Sequence, residues 1–183
     1  MNLTGQILVS MPTMRDDRFY KTVIFICAHS NEGAMGIIIN KKIDHDMYPD
    51  LLSQLGIDNP LKDSKIYLRY GGPVETSRGF VLHTDDVMQK DSLPIDKGIV
   101  LTSTADIFDD LAKGQGPKES ILALGYTGWG PGQLELELKQ NGWMTLSVES
   151  SFIFDEKVNR KWNEAYKLMG INPFSLSQFS GNA

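Results

Sequence analysis

The feature that most constrains this chain is how its apolar residues are distributed. They come in short, β-branched runs, each closed by glycine, asparagine or another turn former. Val23 to Ala28 and Met35 to Ile39 are among the longest. Runs of this length suit buried strands, and they fall far short of the roughly 20 apolar residues that cross a bilayer. Eight segments fit the pattern: Gln6 to Ser10, Thr22 to Ala28, Met35 to Asn40, Lys65 to Arg69, Gly79 to His83, Gly98 to Thr102, Ser120 to Leu124 and Trp143 to Val148.

Helical patterns lie between the strands. Pro49 to Leu55 has Asp50 in its opening turn and Gly56 just past its end. Thr104 to Lys113 carries Ser103 as an N-cap, buries Ile107, Phe108 and Leu111, and stops at Gly114. A third helix is read from Pro131, although Leu134, Leu136 and Leu138 also alternate as a strand would. The last runs from an Asp155 cap to Met169, with Val158, Trp162, Ala165 and Met169 on one face before Gly170. Strands follow one another as often as they alternate with helices, which points to α+β order. The expectation is a single domain with a mixed, largely antiparallel sheet of about eight short strands and about four flanking helices. A loosely held tail is expected from about Pro173.

At 183 residues and 41% hydrophobic composition, one core is the natural outcome. A net charge of -5 repels a polyanion, so charge gives no support to nucleic-acid binding. One cysteine cannot form an intrachain disulfide, and Met1 to Gln6 lack the basic and apolar regions of a secretory leader; a cytoplasmic home is expected.

Several segments are more specific when read together. Met11-Pro12, Asp17-Arg18-Phe19, Phe25 to His29 and Gly33 to Asn40 open the chain. Tyr70 to Val74, Arg78 to His83, Ala123 to Leu134, Trp162 and the closing Gly181 and Ala183 follow in order. This series resembles the YqgE/AlgH family along nearly the whole chain. The resemblance implies that family's α+β fold. It brings a transcriptional-regulator label resting on association, without an established reaction. The chain departs from the family pattern at Lys41-Lys42 in place of Arg-Pro, at Leu136 in place of an acid, and at Asn182 in place of a histidine.

Few residues suggest chemistry. Cys27 and His29 sit two apart on an expected strand, on one face and about 7 Å apart, where an imidazolium could lower a thiol pKa. The alternative is a core cysteine and a strand-end histidine bonded to backbone. His83 and Asp85 have the spacing of a metal-binding pair, but the third ligand would have to be His29 or His45, and an ordinary polar turn is the better reading; no metal and no cofactor is expected.

Two glycine-rich turns remain. Gly125 to Gly132 leaves a strand and opens a helix, a geometry whose free amides attract phosphate or carboxylate; a tight turn is the plainer reading. Gly71 and Gly72, with Arg78 nearby, form a second backbone-rich bend. Tyr126 and Trp129 in the first loop are candidate contact aromatics or a rim of core. The residues Lys157, Arg160, Lys161 and Lys167 make the final helix partly basic, offset by Asp155, Glu156 and Glu164.

The sequence therefore points to a non-enzymatic binding or regulatory protein that recognises a protein or a small anionic ligand. Candidate ligand-binding residues are Asn40, Gly71, Gly72, Arg78 and His83, together with Gly125, Tyr126, Trp129 and Gly132. Two alternatives stand beside it: a DNA-binding regulator, and a thiol enzyme or redox sensor using Cys27 and His29.

Overall fold

A computed structural model of the chain describes residues 1–58, 60 and 66–178. Among the described residues there are nine strands: β1 (Ile7–Ser10), β2 (Val23–Ser30), β3 (Gly33–Ile38), β4 (Leu68–Tyr70), β5 (Val74–Thr84), β6 (Leu93–Asp96), β7 (Ile99–Thr102), β8 (Ser120–Trp129) and β9 (Trp143–Leu146). The helices are α1 (Tyr48–Gln54), α2 (Ala105–Ala112), α3 (Gln133–Lys139), α4 (Ser150–Phe154), α5 (Lys161–Leu168) and α6 (Pro173–Gln178). The strand order is β6-β7-β5-β8-β3-β2-β1-β9, with β4 added against β8. Every pairing is antiparallel except β4 with β8. The α+β class and the single domain are as the sequence implied.

The long strand β8 organises the sheet. Its first half runs antiparallel to β5 and parallel to β4, with Leu68 opposite Leu122 and Tyr70 opposite Leu124. From Thr127 to Trp129 it pairs instead with β3. Gly125 sits at the changeover with φ +72, and a Cβ there would lie 2.4 Å from the Gly72 carbonyl oxygen. Gly71 fills the crossing from the other side. Its N–H donates to the Leu124 carbonyl at 2.8 Å, and its own carbonyl accepts from the Ile38 N–H at 2.9 Å.

Three apolar cores follow from this topology. The largest takes the inward residues of both halves, among them Phe25, Ile37, Phe80, Leu82 and Ala123, and is closed by Phe154, Trp162 and Tyr166 of α4 and α5. Trp162 and Tyr166 are tied down by hydrogen bonds to the Ser10 carbonyl at 2.9 and 3.1 Å. A second core packs Ile107, Phe108 and Leu111 of α2 and Leu52 of α1 on Leu68, Val81 and Leu122. The third packs Leu134 of α3 on Leu8, Ile24, Ile26 and Ile38.

Several boundaries differ from expectation. The strand expected to stop at Leu124 continues to Trp129, so Gly125 to Trp129 is strand rather than loop. Glycine reads as a turn former, whereas here it relieves a backbone crossing. β6 was hidden by Pro94, which the sheet accepts on its edge strand. The last helix divides: Asp155 accepts from the Lys157 N–H at 2.7 Å, a 3-10 turn spans Val158–Arg160, and α5 starts only at Lys161. α4 and α6 were not anticipated; α6 occupies the start of the expected tail, with Leu176 against the main core. Lys65, Gly181, Asn182 and Ala183 lie outside the described residues.

Gly125→Ala would add a left-handed non-glycine residue and a clash with backbone that has no free space to yield. A loss of about 3 kcal/mol is expected, read as a lower urea midpoint with an unchanged slope.

Candidate functional site

A groove of about 1000 Å³ opens where the β2–β3 hairpin, β5 and β6 diverge. Met35, Phe80, Leu93, Pro94, Tyr126 and Trp129 supply its apolar surface, and Glu32, Glu75, Arg78 and Asp91 supply the charges. The lip is an interruption in β5. Register jumps between Val74 and Gly79, leaving Glu75 to Arg78 outside the ladder and exposed. Glu75 has φ 48, a left-handed conformation that a non-glycine residue adopts at a cost of about 1–3 kcal/mol. Bulges that re-aim side chains in this way are common beside functional surfaces.

Arg78 extends from this lip. It donates to Glu75 at 3.2 Å and to the Ser103 hydroxyl at 3.3 Å, and its guanidinium lies 5.0 Å from the centroid of Phe80. Tyr126 meets Phe80 edge to face at 5.5 Å. Glu75 largely matches the Arg78 charge, so Glu32 and Asp91 leave the groove net negative.

Trp129 is only 7% exposed and forms a wall shared with a second groove of about 690 Å³. Its indole N–H donates to Glu137 Oε2 at 3.0 Å, and the Trp143 indole donates to the same oxygen at 2.8 Å. The two rings stand edge to face at 6.3 Å. One carboxylate on α3 therefore fixes both indoles, which makes Trp129 rigid scaffold rather than a freely exposed contact.

The other expected site residues are dispersed. Asn40 is a clip: its Oδ1 accepts from the Val23 N–H at 2.8 Å and its Nδ2 donates to the Lys21 carbonyl at 2.9 Å. His83 is fully buried between the Thr84 carbonyl and the Thr102 hydroxyl, both at 2.8 Å, and its pKa is lowered chiefly by burial. Gly71, Gly72 and Gly125 are buried against one another's backbone, so they offer no open anion cradle. Gly132 caps α3 with φ 72, but α3 has Glu135 in its first turn, and the loop's Gly130 N–H is taken by the Gln133 side chain at 3.0 Å. The anion reading of both bends therefore loses its basis.

The expected pairing of Cys27 with His29 fails for a definite reason. β2 carries a bulge between Ile26 and Ala28, which breaks the two-residue alternation. Cys27 enters the main core, 3% exposed, with its Sγ 3.7 Å from the Phe25 carbonyl. Burial pushes its thiol pKa far up. His29 turns toward α3 instead: Nδ1 accepts from the Leu3 N–H at 3.1 Å, and Nε2 meets Glu135 at 2.9 Å. Among the described residues no cluster of His, Cys, Asp and Glu could hold a metal.

Sequence reasoning missed Glu135 and Glu137, which hold the groove's surroundings together. It also missed Met35, Phe80 and Leu93 as lining. The third helix was legible, but its acids at 135 and 137 meet the hairpin histidine and the two tryptophans only through packing. Leu136 is 54% exposed, so its side chain lies on the outer face of α3 and takes no part in the core.

The arrangement defines an α+β domain on one sheet with two diverging halves, an open groove at the divergence, its one thiol in the core and its three histidines apart. An AlgH-like family model matches residues 7–174, and the chain belongs to this family. A UPF0301 protein of Rhodopseudomonas palustris strain HaA2 is 48% identical over 99% of this chain and 87% of its own length. A UPF0301 protein of Paracoccus denitrificans is 45% identical over 100% and 97%. The solution structure of AlgH from Pseudomonas aeruginosa superposes with a TM-score of 0.81 at 33% identity, covering 100% of this chain and 95% of that one. A Corynebacterium diphtheriae crystal structure, TM-score 0.70 at 19% identity over 91% and 86%, shares the fold.

Two outcomes test this account. Cys27 should resist alkylation in the native protein at pH 8 and react at once in denaturant; rapid native labelling contradicts a core thiol. His83 should make stability depend on pH. Its folded pKa lies below the unfolded value of about 6.5, so the unfolded chain binds the extra proton first. Its contribution is complete above that unfolded value and declines as pH falls through it toward the folded one. The thermal midpoint should drop over this range, and His83→Gln should flatten that part of the curve.

Proposed function

We propose that the protein is a non-enzymatic binding module, regulatory through what it binds, and that its site is the groove between β2–β3, β5 and β6. The observation that supports this most is the combination of an apolar floor with a net negative rim. Met35, Phe80, Leu93 and Tyr126 present adjoining apolar surface, while Glu32 and Asp91 have no charge partner among the described residues comparable to the Arg78–Glu75 pair. The occupant that fits is a segment of a partner protein with apolar side chains flanked by basic ones. A small anionic ligand suits this rim poorly.

The DNA-binding reading has less support. The chain is acidic, and α5 gives its inner face to the core: Lys161 is 3% exposed and Trp162, Ala165 and Tyr166 are buried. No helix among the described residues is long and apolar enough to cross a membrane, and a partner in a reducing, cytoplasmic setting suits the lone thiol.

Fluorescence anisotropy with matched peptides tests the proposal. Peptides alternating Leu with Arg should bind at least about tenfold more tightly than the same peptides with Glu for Arg. Asp91→Lys should erase that preference, and Leu93→Asp should abolish binding. Equal binding of the acidic series, or indifference to both substitutions, would remove the groove as the site. Retardation of duplex DNA at low salt would favour the regulator reading instead.

A further inference from the structure

β8 changes partners along its length, and past the change one of its edges is open. From Ser120 to Tyr126 one edge pairs with β5, while the opposite edge takes β4 at Leu122 to Leu124. Further on, β3 continues on the side away from β5, with Gly36 opposite Thr127, Met35 opposite Gly128 and Ala34 opposite Trp129. β5 does not follow. Its first residue, Val74, stands opposite Tyr126, and the preceding Pro73 has no N–H to donate. Gly72 passes directly over β8, where a Cβ would lie 2.2 Å from the Tyr126 carbonyl carbon. Among the described residues, Thr127, Gly128 and Trp129 therefore pair on the β3 edge alone. An edge left in this state presents main-chain donors and acceptors to which another chain can pair.

The surroundings of this edge set it apart from an ordinary strand end. Side chains alternate between the two faces of a strand. Tyr126 packs on the main core, and a Cβ at Gly128 would lie 3.3 Å from the Tyr126 ring, so both face that side. Trp129 packs with Leu8 and Ile24 in the third core, on the opposite face: along β1, Ile7 and Val9 belong to the main core and Leu8 between them to the third. A groove opens on each face. The acidic one of about 1000 Å³ lies on the side of Phe80 and Tyr126, the other of about 690 Å³ on the side of Phe19 and Trp143, and Gly128 and Trp129 border both. Their charges differ. In the smaller groove Arg15 and Arg18 stand against Asp16 and Glu137, which leaves it balanced, and Met11, Met14, Phe19 and Val74 make its lining largely apolar.

We propose that a partner segment binds as an added strand on this edge of β8, with its main chain bonded along Thr127–Trp129 and its alternate side chains divided between the two grooves. The inference rests on the groove reading above, to which it adds the mode of binding and a second groove. An extended chain has the required period: its main-chain groups face the edge while successive side chains point to opposite faces of the sheet. Basic residues fall on the side of Glu32 and Asp91, with their aliphatic stems on Met35, Phe80 and Tyr126. Apolar residues fall on the side of Phe19 and Trp143.

Selective N-methylation of the peptide main chain tests this. On an added strand the N–H groups of every second residue point toward β8 and the others point away. The peptide alternating Leu with Arg is made once with its Arg amides methylated and once with its Leu amides methylated, and both are titrated against the full chain by fluorescence anisotropy. One of the two should lose at least about tenfold in affinity and the other stay within about twofold of the parent. Val74→Asp, which alters the smaller groove alone, should weaken the parent at least about tenfold by setting a charge against its Leu side chains. Equal behaviour of the two methylated peptides, whether both bind or both fail, overturns strand addition and leaves the acidic groove as the site. Wild-type affinity in Val74→Asp overturns the division of side chains between two grooves. Failure of the unmethylated peptide to bind at all removes the groove reading and this inference together. Should Val74→Asp fail to fold, the comparison of the methylated peptides decides by itself.

Discussion

The whole structure depends on one backbone crossing that only glycine permits. β8 serves two sets of neighbours, and it changes from one to the other at Gly125, directly over Gly71 and Gly72. Carbonyl oxygens of one segment stand where the other's Cβ atoms would be, 2.2 Å away in the case of Gly71 against Gly125. This proximity lets the Gly71 peptide bond both Leu124 and Ile38, joining the halves of the sheet through main chain. Each half then buries its own helices on its outer face, and both share the central core.

The groove is a consequence of the same geometry. Two halves joined at one crossing diverge beyond it, and the gap between the β2–β3 hairpin and the β5 lip is where they have separated. Its surroundings are stiffened by polar clips. Glu137 fixes two indoles, Asn40 holds the turn before β2, and His29 joins the hairpin to α3 through Glu135. The hydrogen bond from the Leu3 amide and burial of the ring anchor His29 more than the ion pair does, because the Glu135 carboxylate is partly exposed and water screens the pair.

Much of this was legible in the residue order. Eight short apolar runs became strands, and Ile107, Phe108 and Leu111 formed the buried face of α2 as their spacing required. The site was far less legible. Cys27 and His29 share a face only if β2 alternates without interruption, and a bulge, which costs nothing visible in sequence, reverses that. Gly125 marked a special backbone position correctly, but whether it ends a strand or lets another chain pass is a question of what lies above it. Arg69 and Lys161 look like ordinary surface cations in a strand and a helix, and nothing local says that both are buried.

The order of residues thus settles what each segment can become, since periodicity, glycine and proline placement and charge act over a few neighbours at a time. It also settles the acidic balance and the single thiol. Which segments meet was decided by packing across long separations: position 71 against 125, 29 against 135, and 10 against 162. Those meetings convert glycines into a crossing and His29 into a clip. Burial and partnership are properties of the assembled core, where water is excluded, and no stretch of chain possesses them alone.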